Sequence, residues 1–460
     1  MDLGRVLGSV AKRVLDGAQS TLLWSSVQLI STDIARKLVL SSLTGIAKGY
    51  LEIRSSDGKE WTFGSTKTGP SACIQVHDPR FWYRILISAD IGFADLFMLG
   101  EITTDLKPVF QIFIRNHDSL SNFTTRTSTI FAAVSDLLLR TTDTNTVQRT
   151  ALNVAAHYDL SNDMFAAFLS PDMTYSGPIY LPQSHPDHAL DTLEQAQYRK
   201  LDCIIRSLHL ESTDHLLEFG SGWGSMAIRA ASTTGCRVTS ITLSERQKEL
   251  AEQRIEEAGL GEKITVLLCD YRSLPVPEVP YDKFVAIEMI EANLNEDLEV
   301  IWGVVDRMLK REGGLACVQT VVMPESRYIN QFPKGEGFIP RYIFPGGHNT
   351  SLTRFLEAVN KGTQCRLSLE SLQEYDAHYA RALAEWRGSF VDQFERRIGP
   401  ALRQEYGLSE AEVQVFRRKY VYYFTYTEAG FSEKVLHVTQ MVFAREGTRG
   451  VLEDVGPWSR

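Results

Sequence analysis

Apolar and polar positions change rhythm several times along this chain. Residues 3 to 23 place Leu3, Val6, Leu7, Val10, Val14, Leu15 and Ala18 at helical spacing. Arg5, Lys12 and Arg13 flank that stripe, so residues 1–35 read as an N-terminal amphipathic helical segment. Packing on its own domain is the plainer reading and a membrane-surface helix the sharper one. The rhythm then shortens. GYLEIRSSDGKEWTFG alternates around a DG turn, which predicts a hairpin, and ACIQVHD continues the strand pattern. FWYRILISADIGFADLFMLGE returns to helical spacing, so 36–120 is expected to form a small α+β domain. Residues 121–150 are rich in Ser and Thr around IFAAVSDLLL and read as a linker helix.

From about residue 151 the pattern alternates regularly. Helical TLEQAQYRKLDCIIRSL precedes strand HLLEF, helical MAIRAAS precedes RVTSITL, and SERQKELAEQRIEEAG precedes ITVLLCD. Strand KFVAIEM, helix LEVIWGVVDRMLK, strand GLACVQTVV and a last strand in LHVTQMVFARE follow. Such alternation implies an α/β domain with a doubly wound, mostly parallel sheet over 151–460. The stretch 351–420 reads as a helical insertion covering the ligand edge of that sheet.

The first of these strands runs into Glu218-Phe219-Gly220-Ser221-Gly222-Trp223-Gly224. Glycines let the chain turn sharply and let a ligand approach the backbone, and the helix behind offers free amides. No GK[ST] follows, which excludes a P-loop, and the spacing is not that of a dinucleotide fingerprint. An acid at the strand end repels pyrophosphate but suits a ligand carrying an ammonium and a sulfonium. S-adenosylmethionine is such a ligand. SITLSERQ and CDYR lie at the same carboxyl edge, where ligands of these sheets bind. Asp270 is expected at the adenine amine, with Tyr271 beside the ring.

Composition narrows the class. The net charge is −9 and the pI near 5.7, which argues against a nucleic-acid binder. No uncharged apolar run approaches the roughly 20 residues that span a bilayer, and the N-terminal basic residues lack an adjoining apolar h-region. A cytoplasmic protein, with peripheral membrane contact, is the expectation. The six cysteines show no CxxC spacing and read as thiols in a reducing compartment. His185 and His188, in a Pro-containing loop, read as polar surface and not as a metal site.

These segments together resemble the cyclopropane-fatty-acyl-phospholipid synthases and the mycolic acid methyltransferases. The resemblance rests on HYDLSNDMFAAFL, MTYSGPIY, TLEQAQYRKL, LLEFGSGWGS, ITLSERQ, CDYR, YDKFVAIEMIEAN, NQFPKGEGFIPRYIFPGG and HYARALAEWRGSF, and it covers most of the chain after residue 36. It implies a class I methyltransferase fold, Rossmann-like, with a helical cover. It implies S-adenosylmethionine bound by Tyr175 and Ser176 at its methionine part. Glu218 and the turn of Gly220, Gly222, Trp223 and Gly224 follow. Thr242, Leu243 and Gln247 fall near the ribose, and Asp270, Tyr271 and Arg272 near the adenine. The implied acceptor is an unsaturated lipid or another alkene-bearing small molecule, methylated through a carbocation to a cyclopropane or a methyl branch. A homodimer fits the same picture.

The resemblance also implies a base: a bound bicarbonate held by a Glu, a His, a Cys, a Tyr and backbone amides. The Glu falls on Glu291 and the Tyr on Tyr379. The Cys position is Gly177, the strand His is Gln319, and the His after the Glu is Ala292. Gly177 is expected to open volume where the thiol stood. Three alternatives stay open: bicarbonate held by Glu291, Tyr379 and Gln319; Glu291 or Tyr379 as the base; or a different carbon acceptor without ring closure. Tyr375, Tyr379, Tyr420, Tyr422, Tyr423, Phe424 and Tyr426 are candidates for aromatic walls, with core packing the plainer role for most. Glu288 is an extra acid at the end of the fourth strand, facing the ligand or capping the next turn. Loss of turnover with ligand binding kept is the non-enzymatic alternative.

Overall fold

The computed structural model describes residues 32–120, 161–331 and 337–448. The expected helices at 3–23 and 121–150 lie outside the described residues. The chain divides into two units. The first holds the described part of Met1–Tyr158 with Arg341–Ile343 and Leu402–Ala429; the second holds Asp159–Pro340, Phe344–Ala401 and Gly430–Arg460.

In the first unit the DG turn closes a hairpin of β1 (Tyr50–Arg54) and β2 (Glu60–Gly64). Gly58 takes φ +78°, the left-handed region that such turns require. β3 (Ser71–Val76) pairs parallel to β1, and β4 (Ile102–Thr103) antiparallel to β3. Leu51, Ile53, Ala72, Ile74 and Val76 point to one buried face, as the alternation requires. The apolar helix Phe81–Leu99 stops at Gly100, whose φ of 75° caps it.

The second unit is built on β5 (His215–Phe219), β6 (Arg237–Thr242), β7 (Ile264–Leu268), β8 (Lys283–Ile287) and β9 (Leu315–Met323), with β10 (Thr350–Ser351), β11 (Ser368–Glu374) and β12 (His437–Ala444). The order is β11-β12-β9-β8-β5-β6-β7, with β10 on β9. β9, β8, β5, β6 and β7 are mutually parallel; β12 runs antiparallel to β9, and β11 antiparallel to β12. After β5 the chain winds through β6 and β7 on one side, then crosses to β8 on the other. That reversal opens a crevice at the carboxyl ends of β5 and β8, where ligands of doubly wound sheets bind. The class I architecture expected from the alternation is the one observed. Helix Leu193–Ser207, started by a Thr192–Gln195 capping box, presents Ala196, Leu201 and Ile204 to the core.

The stretch 351–420 differs from the expected all-helical insertion. It contains β11, whose SLESLQE is largely exposed and therefore lacks the apolar signal of a strand. Its tail from Leu402 onward belongs to the first unit. There Tyr422 packs on Phe110 at 5.1 Å and Tyr426 on the same ring at 5.4 Å. Tyr420, Tyr422, Tyr423, Phe424 and Tyr426 are thus residues of the first unit.

β12 is anchored by a buried ion cluster. Arg445, 2% exposed at the side chain, donates from Nη1 to Asp306 Oδ1 at 2.7 Å and from Nη2 to the Asp306 carbonyl at 2.8 Å. Arg366 reaches the same carboxylate. Burial pushes the Asp306 carboxyl up, and the hydrogen bonds from Arg366 and Arg445 outweigh it, leaving its pKa below the ordinary value. Removing the acid strands the buried Arg445 guanidinium. Asp306→Ala is expected to cost about 3–5 kcal/mol of stability, read by urea unfolding.

Candidate functional site

The glycine turn meets its conformational expectation. Gly220, Gly222 and Gly224 have φ of 87°, 48° and 88°. A Cβ at Gly220 would lie 3.1 Å from Met289, whereas one at Gly222 would meet nothing within 4 Å. The backbone at Gly222 therefore faces open space that a ligand can approach. Trp223 is buried and donates from Nε1 to Asn162 at 2.8 Å, which ties the turn to the chain before Tyr175.

Glu218 is 2% exposed and accepts from Ser240 Oγ at 2.6 Å. Burial pushes its carboxyl up to about 8, against the opposing effects of Ser240 and the Lys200 ammonium. A further cation brought beside it would favour the charged form. Thr242 donates to Gln247 at 2.9 Å, which holds both at the end of β6, and Leu243 between them is 75% exposed. An apolar side chain standing free at the carboxyl edge suits a ligand's ring face. Asp270 caps the short turn Tyr271–Ser273 and pairs with Arg272 at 2.8 Å. Tyr271 is placed otherwise than expected: it is 5% exposed and packs on Phe219 in the core. These donors, glycines and acids fit S-adenosylmethionine.

The Tyr175–Gly177 loop lies over a buried polar floor. Gln197 donates to the Ser176 carbonyl at 2.8 Å, and Lys200 donates to Ser176 Oγ at 2.7 Å. Burial lowers the Lys200 ammonium to about 8, with Glu288, Asp172 and Glu218 pulling the other way. Tyr175 packs against Phe165 at 5.2 Å and Trp386 at 5.3 Å, and Tyr379 against Trp386 at 5.8 Å and Phe431 at 4.6 Å. A run of rings therefore leads from the cofactor loop to Tyr379.

The run ends on Glu288. Its Oε1 accepts from the Gly177 amide at 2.7 Å and from Gln319 Nε2 at 2.9 Å; its Oε2 accepts from the Tyr379 hydroxyl at 2.7 Å. The residue has φ of 49°, a left-handed conformation unusual for a non-glycine residue. Burial pushes its carboxyl up, while the Gly177 amide, Gln319, Tyr379 and Lys200 oppose that shift. Gln319 is 1% exposed, donates also to the Gly177 carbonyl at 2.9 Å, and accepts from Gln440 at 3.4 Å.

Two expectations change here. Gly177 does not open volume: a Cβ on it would lie 3.1 Å from the Tyr379 ring and 3.4 Å from Glu288 Oε1. Of the groups expected to hold bicarbonate, Gln319 and Tyr379 are already engaged by Glu288, as is the Gly177 amide. The residues present do not fit an added anion. Glu291 stands apart from that cluster, accepting from the Val321 amide; burial and then the Glu288 charge push its carboxyl up to about 8. Ala292 is exposed. Lys200, Ser240 and Gln440 are site residues that sequence reasoning did not name, and Glu288 was left between facing the ligand and capping the next turn. For Glu288 the only signal was an acid directly after the strand.

The sequence profile described as mycolic acid cyclopropane synthetase matches residues 145–441. This chain belongs to that family. It is accordingly a SAM-dependent methyltransferase. Tuberculostearic acid methyltransferase UfaA1 of Mycobacterium tuberculosis strain H37Rv is 33% identical over 419 residues, covering 91% of this chain and 92% of that protein. Cyclopropane-fatty-acyl-phospholipid synthase of Escherichia coli strain K12 is 27% identical over 383 residues, covering 83% and 90%. The solved structure of the cyclopropane synthase MmaA2 from Mycobacterium tuberculosis aligns with a TM-score of 0.53 at 26% identity, over 64% of this chain and 98% of that one.

Below about pH 8 Glu218 is uncharged in the absence of a cation. A cation beside it favours the carboxylate, so binding expels a proton. Affinity for S-adenosylmethionine is expected to rise as pH goes from about 6 towards 8. Glu218→Gln is expected to weaken binding and flatten that profile, and calorimetry in buffers of different ionisation heat reads the proton release.

Proposed function

We propose that this methyltransferase alkylates the carbon–carbon double bond of an unsaturated acyl chain, carried on a phospholipid. The reading is carried by the aromatic run from Phe165 through Tyr175 and Trp386 to Tyr379 and Phe431, ending on a carboxylate. Aromatic faces stabilise a developing carbocation without capturing it, and they accept an apolar chain. When bound, S-adenosylmethionine supplies an electrophilic methyl. The glycine turn and the Tyr175–Gly177 loop orient it; the rings exclude water from the cation; a carboxylate within the cluster receives a proton. The similarity to proteins named for fatty-acid methylation and for cyclopropane formation supports an acyl acceptor. Loss of a proton leaves a cyclopropane or an exocyclic methylene. A saturated methyl branch needs, in addition, a hydride from a separate reductant. Among the described residues no helix is long and apolar enough to cross a membrane, so the acceptor is reached from the bilayer surface in this reading.

Purified protein, methyl-labelled S-adenosylmethionine and vesicles of mono-unsaturated phospholipid test it. The expected product is an acyl chain heavier by one methylene, assigned as ring or methylene by mass spectrometry and NMR. Label in added free fatty acid but not in vesicles would move the acceptor off the phospholipid. No labelled lipid, with S-adenosylmethionine binding intact, would point to another alkene-bearing small molecule.

A further inference from the structure

We infer that Glu288 is the built-in base of this enzyme, its carboxylate occupying the seat that an exogenous bicarbonate would otherwise take. The inference rests on the proposed alkene chemistry for its role in turnover, but not for the occupancy of the seat. The donor set is the first ground. A backbone amide, a carboxamide N–H and a phenol converge on the two oxygens at 2.7, 2.9 and 2.7 Å. All can donate, as a planar oxyanion requires. The second ground is steric. A Cβ at Gly177 would stand 3.1 Å from the ring of Tyr379, the residue that donates to Oε2, and would press on it, while its 3.4 Å to Oε1 is an ordinary contact. The third is the backbone. Glu288 holds φ of 49° at the end of β8, with its amide donating to the Gln319 carbonyl at 2.7 Å. Strain of this kind persists where the surroundings over-determine it, and it gathers at functional sites.

The place suits the task. Glu288 precedes Met289, the residue that lies against Gly220 of the cofactor turn, and its carboxylate bonds the loop after Tyr175 and Ser176. In the reaction the alkene π pair forms the new bond to the methyl carbon. The C–S bond breaks and its pair stays on sulfur. The other alkene carbon becomes the cation. A Glu288 oxygen then takes a proton from the transferred methyl, and the C–H pair closes the three-membered ring. If a hydride first shifts from the methylated carbon to the cation, the same deprotonation leaves an exocyclic methylene. The positive charge of the sulfonium leaves as the proton on Glu288, so neither oxidant nor reductant is consumed. Tyr379, Gln319 and the Gly177 amide are positioning groups that hold the carboxylate. Burial raises the basicity of that carboxylate, as a base for a carbon-bound proton needs.

The test uses the full-length protein in carbonate-depleted buffer. Wild-type turnover is expected to be unchanged by added bicarbonate, and 13C-bicarbonate is expected to show no bound signal by NMR. Glu288→Gln is expected to lose about 100-fold or more in kcat while S-adenosylmethionine affinity is kept. Glu288→Gly empties the seat at a backbone conformation glycine adopts freely, and the donors it leaves unpaired are expected to lower its melting temperature until an anion refills the seat. That variant is expected to bind 13C-bicarbonate and to recover activity when it is added. A wild-type requirement for bicarbonate, a bound 13C signal in the wild type, or Glu288→Gln retaining wild-type kcat would each overturn the inference. The NMR comparison needs no acceptor. If no lipid is methylated yet wild type excludes the anion and Glu288→Gly binds it, the acceptor is wrong and the occupied seat stands.

Discussion

A carboxamide buried inside a sheet must find partners for each of its polar atoms, and Gln319 meets that demand in a way that organises the centre of the molecule. Its amide donates to the Gly177 carbonyl and the Glu288 carboxylate, and its oxygen takes the Gln440 amide from the neighbouring strand. An unpaired polar group there costs of order 1–3 kcal/mol. The Gln319 side chain therefore links the loop after Tyr175 and the end of β8 to strands β9 and β12, whose register the ladder hydrogen bonds set. The Asp306–Arg445 pair secures β12 from its far end, so the strand that orients Gln319 is itself fixed.

Electrostatics divides the acids of the site by their neighbours. Glu288 has three donors and the Lys200 ammonium nearby; Glu291 has the Val321 amide and the repulsion of Glu288. Glu218 accepts from Ser240, and burial pushes its carboxyl up against that bond and the Lys200 ammonium. Lys200 lies beneath all this with no exposure, bonded to Ser176. A buried cation under the cofactor loop offsets part of the cost of gathering several carboxyls in a low-dielectric crevice. The chemistry is carried by a few charges whose states differ because their hydrogen bonds differ.

Most of the fold was legible in the chain because each signal was local. The period-two runs of β1 and β3, the short apolar runs of β5 to β9, the DG turn and the glycines at 220, 222 and 224 each state their own conformation. β11 was missed because an exposed edge strand carries no apolar alternation. The aromatic residues from 420 to 426 were assigned to the wrong unit because periodicity says that a helix face is buried, not against what. Tyr271 looked like a ligand contact because it follows Asp270, yet its ring turns inward to Phe219. The substitutions at Gly177 and Gln319 were visible as departures, but their meaning was not. What joins them is the direction of the Glu288 side chain, set by a positive φ that no propensity predicts for glutamate. Three residues far apart in sequence meet at one carboxylate, and only the fold shows it.

The left-handed backbone at Glu288 has a bearing on how such a site can arise. Holding a side chain there costs about 1–3 kcal/mol, whereas glycine holds it without strain. A glycine codon becomes a glutamate codon by one base change. The turn after β8 is therefore a point at which a lineage can move between a borrowed anion and an inherited one without rebuilding the scaffold. An enzyme that carries its own base is freed from the supply of dissolved carbon dioxide, so its product would be laid down as readily in a carbonate-poor habitat as in a rich one.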